Sequence, residues 1–122
     1  GYLPLLWTFD WETEYPYLAA GQYLRDHGFR GAVISFHPEL LNKYYTGGEV
    51  LLMPSPPQYA TISQLARARQ VPYLLVDWSM TDFSEDIVTL YWAASNSQSV
   101  PGFKYLAGEA AIWAVFEIQS TP

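Results

Sequence analysis

Short apolar runs alternate along the chain with longer stretches in which apolar positions recur every three or four residues. The first longer stretch is "YPYLAAGQYLRDHG" (15–28). Tyr17, Gly21 and Leu24 fall at i, i+4 and i+7 with Leu18 beside them, while Gln22, Arg25 and Asp26 lie elsewhere. This predicts a helix, with Gly28 at the left-handed position that stops it. "GAVISF" (31–36) is short, apolar and β-branched, which predicts a buried strand. "HPELLNKYYTGG" predicts a short helix with Pro38 in its first turn and Gly47-Gly48 at its end. "EVLLMP" (49–54) predicts a second strand, stopped by Pro54.

"SPPQYATISQLARARQ" predicts another helix, with a capping box formed by Ser55 and Gln58 or by Thr61 and Gln64. Ile62, Leu65, Ala66 and Arg69 share one of its faces, with Arg69 at the edge. "VPYLLVD" (71–77) predicts a third buried strand. "TDFSEDIVTLYWAA" predicts a helix with acids in its first turn, where the dipole favours them. After the polar loop "SNSQSVPG", "FKYLAGEAAIWAVFEIQ" predicts two strands around Gly108-Glu109. Ile112, Ala114, Phe116 and Ile118 alternate with Trp113, Val115 and Glu117, so both faces of the last strand are expected to be covered.

The order α-β-α-β-α-β-α-β-β predicts an α/β fold. Its mostly parallel sheet carries helices on both faces, in three layers, and a C-terminal antiparallel strand pair. Residues 15–122 are expected to form a single domain, without internal repeats. Residues 1–14, "GYLPLLWTFDWETE", show no clear period and read as an aromatic, then acidic, N-terminal segment.

Composition narrows the function. Half of the 122 residues are apolar and 17% are aromatic, which excludes a disordered chain. No apolar run approaches the roughly 18–20 residues of a spanning helix. The net charge is -6, and the basic residues are scattered, which argues against nucleic acid as a partner. The absence of cysteine removes disulfides, thiol catalysis and thiolate metal sites. The chain begins at Gly1, not Met, shows no signal peptide, and is expected to be a piece of a longer protein.

The candidate chemistry sits at strand ends. In a doubly wound sheet ligands lie beyond the C-terminal ends of the strands, here Ser35-Phe36-His37 and Asp77-Trp78-Ser79. His37 and Asp77 would face each other if the first and third strands are neighbours. Two readings stay open: general base and orienter, with Glu39 nearby, or a helix start and the cap of a strand–helix turn. No cofactor is expected. "SFHPELL" lacks the glycines of a dinucleotide site, and there is neither GxxxxGK[ST] nor GxSxG.

Asp10, Glu12 and Glu14 alternate, and on a strand they would share a face fit for a hard cation or an acid/base pair. "TFD" echoes the "TFDDG" motif of polysaccharide deacetylases. Trp11 replaces the second Asp, however, and the paired histidines are missing, so no metal is expected and the acids read as a solvated linker. Trp7, Trp11, Trp78, Trp92 and Trp113 belong mostly to core packing on this reading. Tyr2, Trp7 and Trp11 are the aromatics expected to be free for a headgroup, a sugar or another domain.

One long run carries a resemblance. It comprises Tyr23-Leu24-Arg25-Asp26-His27-Gly28, then Val33-Ile34-Ser35 and Pro38, then Tyr44-Tyr45-Thr46-Gly47 and "LLMP". It continues with Val71-Pro72-Tyr73-Leu74-Leu75-Val76-Asp77 and ends with Val115-Phe116-Glu117-Ile118. In that order and spacing it resembles the soluble C-terminal domain of polytopic GT-C glycosyltransferases, the class of the dolichyl-phosphate-mannose and aminoarabinose transferases. The resemblance spans roughly residues 15–118. It departs at Gly48, where many relatives carry Arg after "YTG".

The resemblance implies a parent integral membrane protein whose spanning helices precede Gly1. This domain would lie on the extracytoplasmic side, packed on the transmembrane part, with residues 1–14 at the membrane interface. The sugar donor would be a polyprenyl-phosphate sugar. The catalytic acid of such enzymes lies in a loop outside this chain, so no catalytic residue is expected here. His37, Asp77, Trp78, Tyr44 and Tyr45 are the candidate binding residues toward glycan or lipid-linked sugar. The alternatives are a small stand-alone hydrolytic enzyme using His37 and Asp77, or a carbohydrate- or partner-binding module.

Overall fold

The computed structural model describes residues 11–78 and 84–119, the side chains of Trp11 and Glu12 excepted. Tyr2, Trp7, Asp10 and Ser79, with the side chains of Trp11 and Glu12, therefore lie outside the described residues.

The elements follow the expected order: α1 (Trp11–Asp26), β1 (Val33–Ser35), α2 (Pro38–Leu41), β2 (Val50–Leu52), α3 (Tyr59–Arg69), β3 (Tyr73–Asp77), α4 (Glu85–Ser95), β4 (Phe103–Glu109) and β5 (Trp113–Ile118). Five strands form one mixed sheet in the order β2-β1-β3-β5-β4. β2, β1 and β3 are parallel neighbours, and β5 runs antiparallel to both β3 and β4.

Alternate strand residues divide between two buried clusters. Ile34, Leu74, Val76 and Phe116 pack with Ile62 of α3 and Leu90 of α4. Val33, Leu75 and Val115 pack with Tyr17 and Leu24 of α1 and Leu41 of α2. Because β3 is buried at all five positions, it reads as a continuous apolar run and not as an alternating one.

Several boundaries differ from expectation. α1 begins at Trp11, so part of the supposed linker is helical, and Pro16 lies inside the helix. Proline lacks an N–H, so the ladder loses one bond near the start of α1, where the loss costs least. The helix closes as expected. Gly28 (φ +69) follows it, with Phe29 N–H on Leu24 O at 2.9 Å and Gly28 N–H on Arg25 O at 3.1 Å.

The capping box of α3 pairs Gln58 with Thr61, one residue from each expected box. α4 is capped by Ser84, whose hydroxyl accepts Ile87 N–H at 3.1 Å and donates to Pro57 O at 2.5 Å. The β4–β5 turn falls at 110–112, beyond Gly108. Gly108 lies within the strand, where the Trp113 carbonyl approaches closely; a Cβ there would lie 2.4 Å from that oxygen.

Candidate functional site

The chain leaves β1 through α2 to reach β2 on one side, and reaches β3 through α3 on the other. The strand order therefore reverses between β1 and β3, and the crevice beyond their C-terminal ends is the switch point of the sheet. The conditional expectation about neighbouring strands is met, since Val33 pairs with Tyr73 and Ile34 with Leu74. Ser35 and His37 follow from β1, and Asp77 and Trp78 from β3.

Asp77 is wholly buried at the end of β3. Two tyrosines from different helices reach it. Tyr17 of α1 donates its hydroxyl to the carboxylate Oδ2 at 2.5 Å. Tyr91 of α4 donates to the backbone carbonyl of the same residue. Burial, and then the charge of Asp77, push the Tyr91 hydroxyl well above the ordinary tyrosine value. The turn that follows, residues 79–83, lies outside the described residues, so the expectation that Asp77 caps it is not addressed by them.

The same tyrosines position the other strand-end residues. The ring of Tyr17 meets His37 edge-on, with centroids 5.8 Å apart. The ring of Tyr91 stacks on Trp78 at 4.3 Å. His37 also lies 3.7 Å from Glu39 through Nδ1, a loose contact. Ser35 is fully buried, and its Oγ accepts the His37 backbone N–H at 3.2 Å.

Glu14 corrects the solvated-linker reading. It is buried, accepts Lys43 Nζ at 2.7 Å, and is reached by the Tyr44 hydroxyl at 3.3 Å. Because Trp11–Asp26 is helical, Glu12 and Glu14 do not alternate on a strand face. The hydrogen bond to Glu14 raises the Lys43 pKa; burial, and then Glu14, raise that of Tyr44. Glu109 adds a further carboxylate, accepting Tyr15 OH at 2.7 Å and Trp113 Nε1 at 2.9 Å. That hydrogen bond is the main reason the Tyr15 hydroxyl is raised.

The five predicted binding residues thus separate. His37, Asp77 and Trp78 lie beyond or at the C-terminal ends of the neighbouring strands β1 and β3, each in contact with Tyr17 or Tyr91. Tyr44 is half-buried and directed to Glu14. Tyr45 is buried, and its hydroxyl donates at 2.5 Å to Gly31 O, before the start of β1 rather than beyond its end. Tyr17, Tyr91, Tyr15 and Glu109 were not singled out from the sequence as site residues. Tyr17 was visible only as a member of an apolar helix face, and nothing local reveals that its hydroxyl ends on a residue 60 positions away. Trp92, expected to be core, is 70% exposed. Its i+4 spacing from exposed Val88, off the buried Ile87-Leu90-Tyr91-Ala94 face, is the signal that marks it.

Among the described residues, no group of three or more His, Asp or Glu side chains is placed to hold a metal ion. No described helix is long and apolar enough to cross a membrane. No family model, no curated protein and no solved structure matches the chain.

Proposed function

We propose that this chain is the extracytoplasmic domain of an integral membrane glycosyltransferase of the GT-C class, and that it supports acceptor binding or assembly while the transfer from a polyprenyl-phosphate-linked sugar occurs elsewhere in the parent. The carrying observation is that the segments of the resemblance build one continuous part of the fold. β1, β3 and β5 are adjacent strands, and the "YYTGG" corner folds back on the segment before β1, with Tyr45 bonded to Gly31. On this proposal the helices form two outer layers of a three-layer α/β/α domain in the cell envelope. The switch end, with His37, Trp78 and the α1 N-terminus, faces the transmembrane part, the membrane interface or a bound glycan.

The burial of Asp77 supports a supporting role over a catalytic one. A general base must reach its substrate, whereas this carboxylate is fully covered and takes the Tyr17 hydroxyl. The departure at Gly48 has a local cause. A Cβ there would lie 2.2 Å from Gly31 O, so an arginine does not fit this corner without moving backbone.

The test is the complete reading frame around Gly1. Several upstream apolar segments of about 20 residues, with acidic residues in the first extracytoplasmic loop, are the expected result. A start codon close to Gly1 would remove the membrane parent and the proposal with it.

A further inference from the structure

The opposite end of the sheet holds a cleft of ≈ 580 Å³, within the range of small-molecule sites. One wall is α3, which presents Tyr59, Ser63 and Arg67 at i, i+4 and i+8. The other wall is the start of β4 with the end of β5, including Phe103 and Ile118. Val71 and Pro72 lie between them. Backbone bonds join the floor to each wall: Val71 N–H to Ala66 O of α3 at 2.9 Å and Ile118 N–H to Pro72 O at 2.7 Å; within the second wall, Gln119 N–H bonds Gly102 O at 2.9 Å.

Its one charged lining group is Arg67. Arg25, Lys43 and Arg69 each have a carboxylate partner, at 3.3, 2.7 and 2.9 Å. Arg67, like Arg30 and Lys104, has none among the described residues, and of these three it is the one that lines the cleft. A guanidinium without a partner, beside an apolar floor and one turn from a serine hydroxyl, matches an anion with an apolar body. Guanidinium and carboxylate are geometrically suited to each other.

We infer that this cleft binds a small amphipathic carboxylate, with its apolar body against Phe103, Val71 and Ile118 and its carboxylate on Arg67 and the Ser63 hydroxyl. The site lies at the other end of the strands from Asp77 and does not depend on the glycosyltransferase reading.

The test is an amide NMR titration of the 122-residue chain with 3-phenylpropionate and with its uncharged counterpart, 3-phenylpropanol. Saturable shifts are expected at residues 63–72, 101–103 and 118–119. Arg67→Gln is expected to weaken phenylpropionate binding about tenfold, the lower end for a charge-assisted hydrogen bond, and to leave the alcohol unchanged. Arg67 is exposed, so the variant keeps its fold, which its own spectrum checks. Shifts that never saturate, shifts confined to the Ser35–Trp78 end, or equal affinity in wild type and Arg67→Gln would each overturn the assignment.

Discussion

Replacing Tyr17 by Phe removes one oxygen and leaves the ring that fills the α1 face and meets His37. The oxygen donates at 2.5 Å to the carboxylate of Asp77, and both residues are 0% exposed. Hydrogen bonds to charged groups are worth about 1.5–3 kcal/mol, and a buried acceptor that loses its donor is not compensated by water. Asp77 keeps further interactions, including the Tyr91 hydroxyl on its carbonyl, so the lower half of that range applies. The expected destabilisation is about 2 kcal/mol. With an unfolding entropy of about 2.1 cal/mol/K per residue, the 122 residues give about 0.26 kcal/mol/K, so Tm falls by about 8 °C.

Calorimetry with urea unfolding of wild type, Tyr17→Phe, Asp77→Asn and the double variant closes a double-mutant cycle. A coupling of about 1–2 kcal/mol is expected, typical of two residues in one network. Asparagine keeps the shape of Asp77 and an oxygen that still accepts the Tyr17 hydroxyl, so the coupling reads what the charge adds to that bond. A Tyr17→Phe variant within about 0.5 kcal/mol of wild type, with no coupling to Asp77, would show that this contact does not hold the switch end.

Two further outcomes follow from the structure. Gly48→Ala would put a Cβ 2.2 Å from Gly31 O, against backbone that no side-chain rotation can clear, so the corner must open. A loss of about 2–3 kcal/mol is expected, together with faster amide exchange around the corner; calorimetry showing unchanged stability would contradict the close approach. Burial raises the hydroxyls of Tyr45, Tyr59, Tyr73 and Tyr91 above the ordinary value. Their preference for the neutral form adds stability that is complete below pH of about 10 and lost as pH rises toward the folded-state values. An absorbance titration should therefore show a late-ionising group of tyrosines, and the urea midpoint should fall above pH of about 10; a single transition near 10 in the folded chain would refute it.

The parts of this fold legible in the sequence are those set by local chemistry. "VIS" and "YLLVD" are apolar, β-branched or aliphatic runs too short for helices, and both are buried strands. Gly28 and the acids Glu85 and Asp86 mark helix ends for reasons contained within one turn. What was not legible depends on contacts distant in sequence. Glu14 reads as solvated until Lys43, 29 residues on, is folded against it. The start of α1 was hidden by Pro16 and by an aromatic stretch without a period. The insertion of β5 between β3 and β4 leaves no local trace either, because a run apolar on both faces fits a central or a covered edge position equally well. The candidate site shows the same division. His37, Asp77 and Trp78 were placed by the rule for strand ends, while the tyrosines that hold them were not.

Those tyrosines change what Asp77 does. Its side chain takes Tyr17 from α1, and its carbonyl takes Tyr91 from α4, so helices belonging to the two different clusters are bonded to one residue at the end of β3. The partially exposed rings beside it inherit their positions from this arrangement: His37 stands on the edge of Tyr17, and Trp78 lies on the face of Tyr91. In this arrangement Asp77 bonds the two tyrosines that carry the more exposed rings of His37 and Trp78. That arrangement is consistent with a domain that presents a shaped face to the rest of a larger enzyme. It also places the effect of Asp77→Asn on stability and on the orientation of Trp78, before any effect on chemistry.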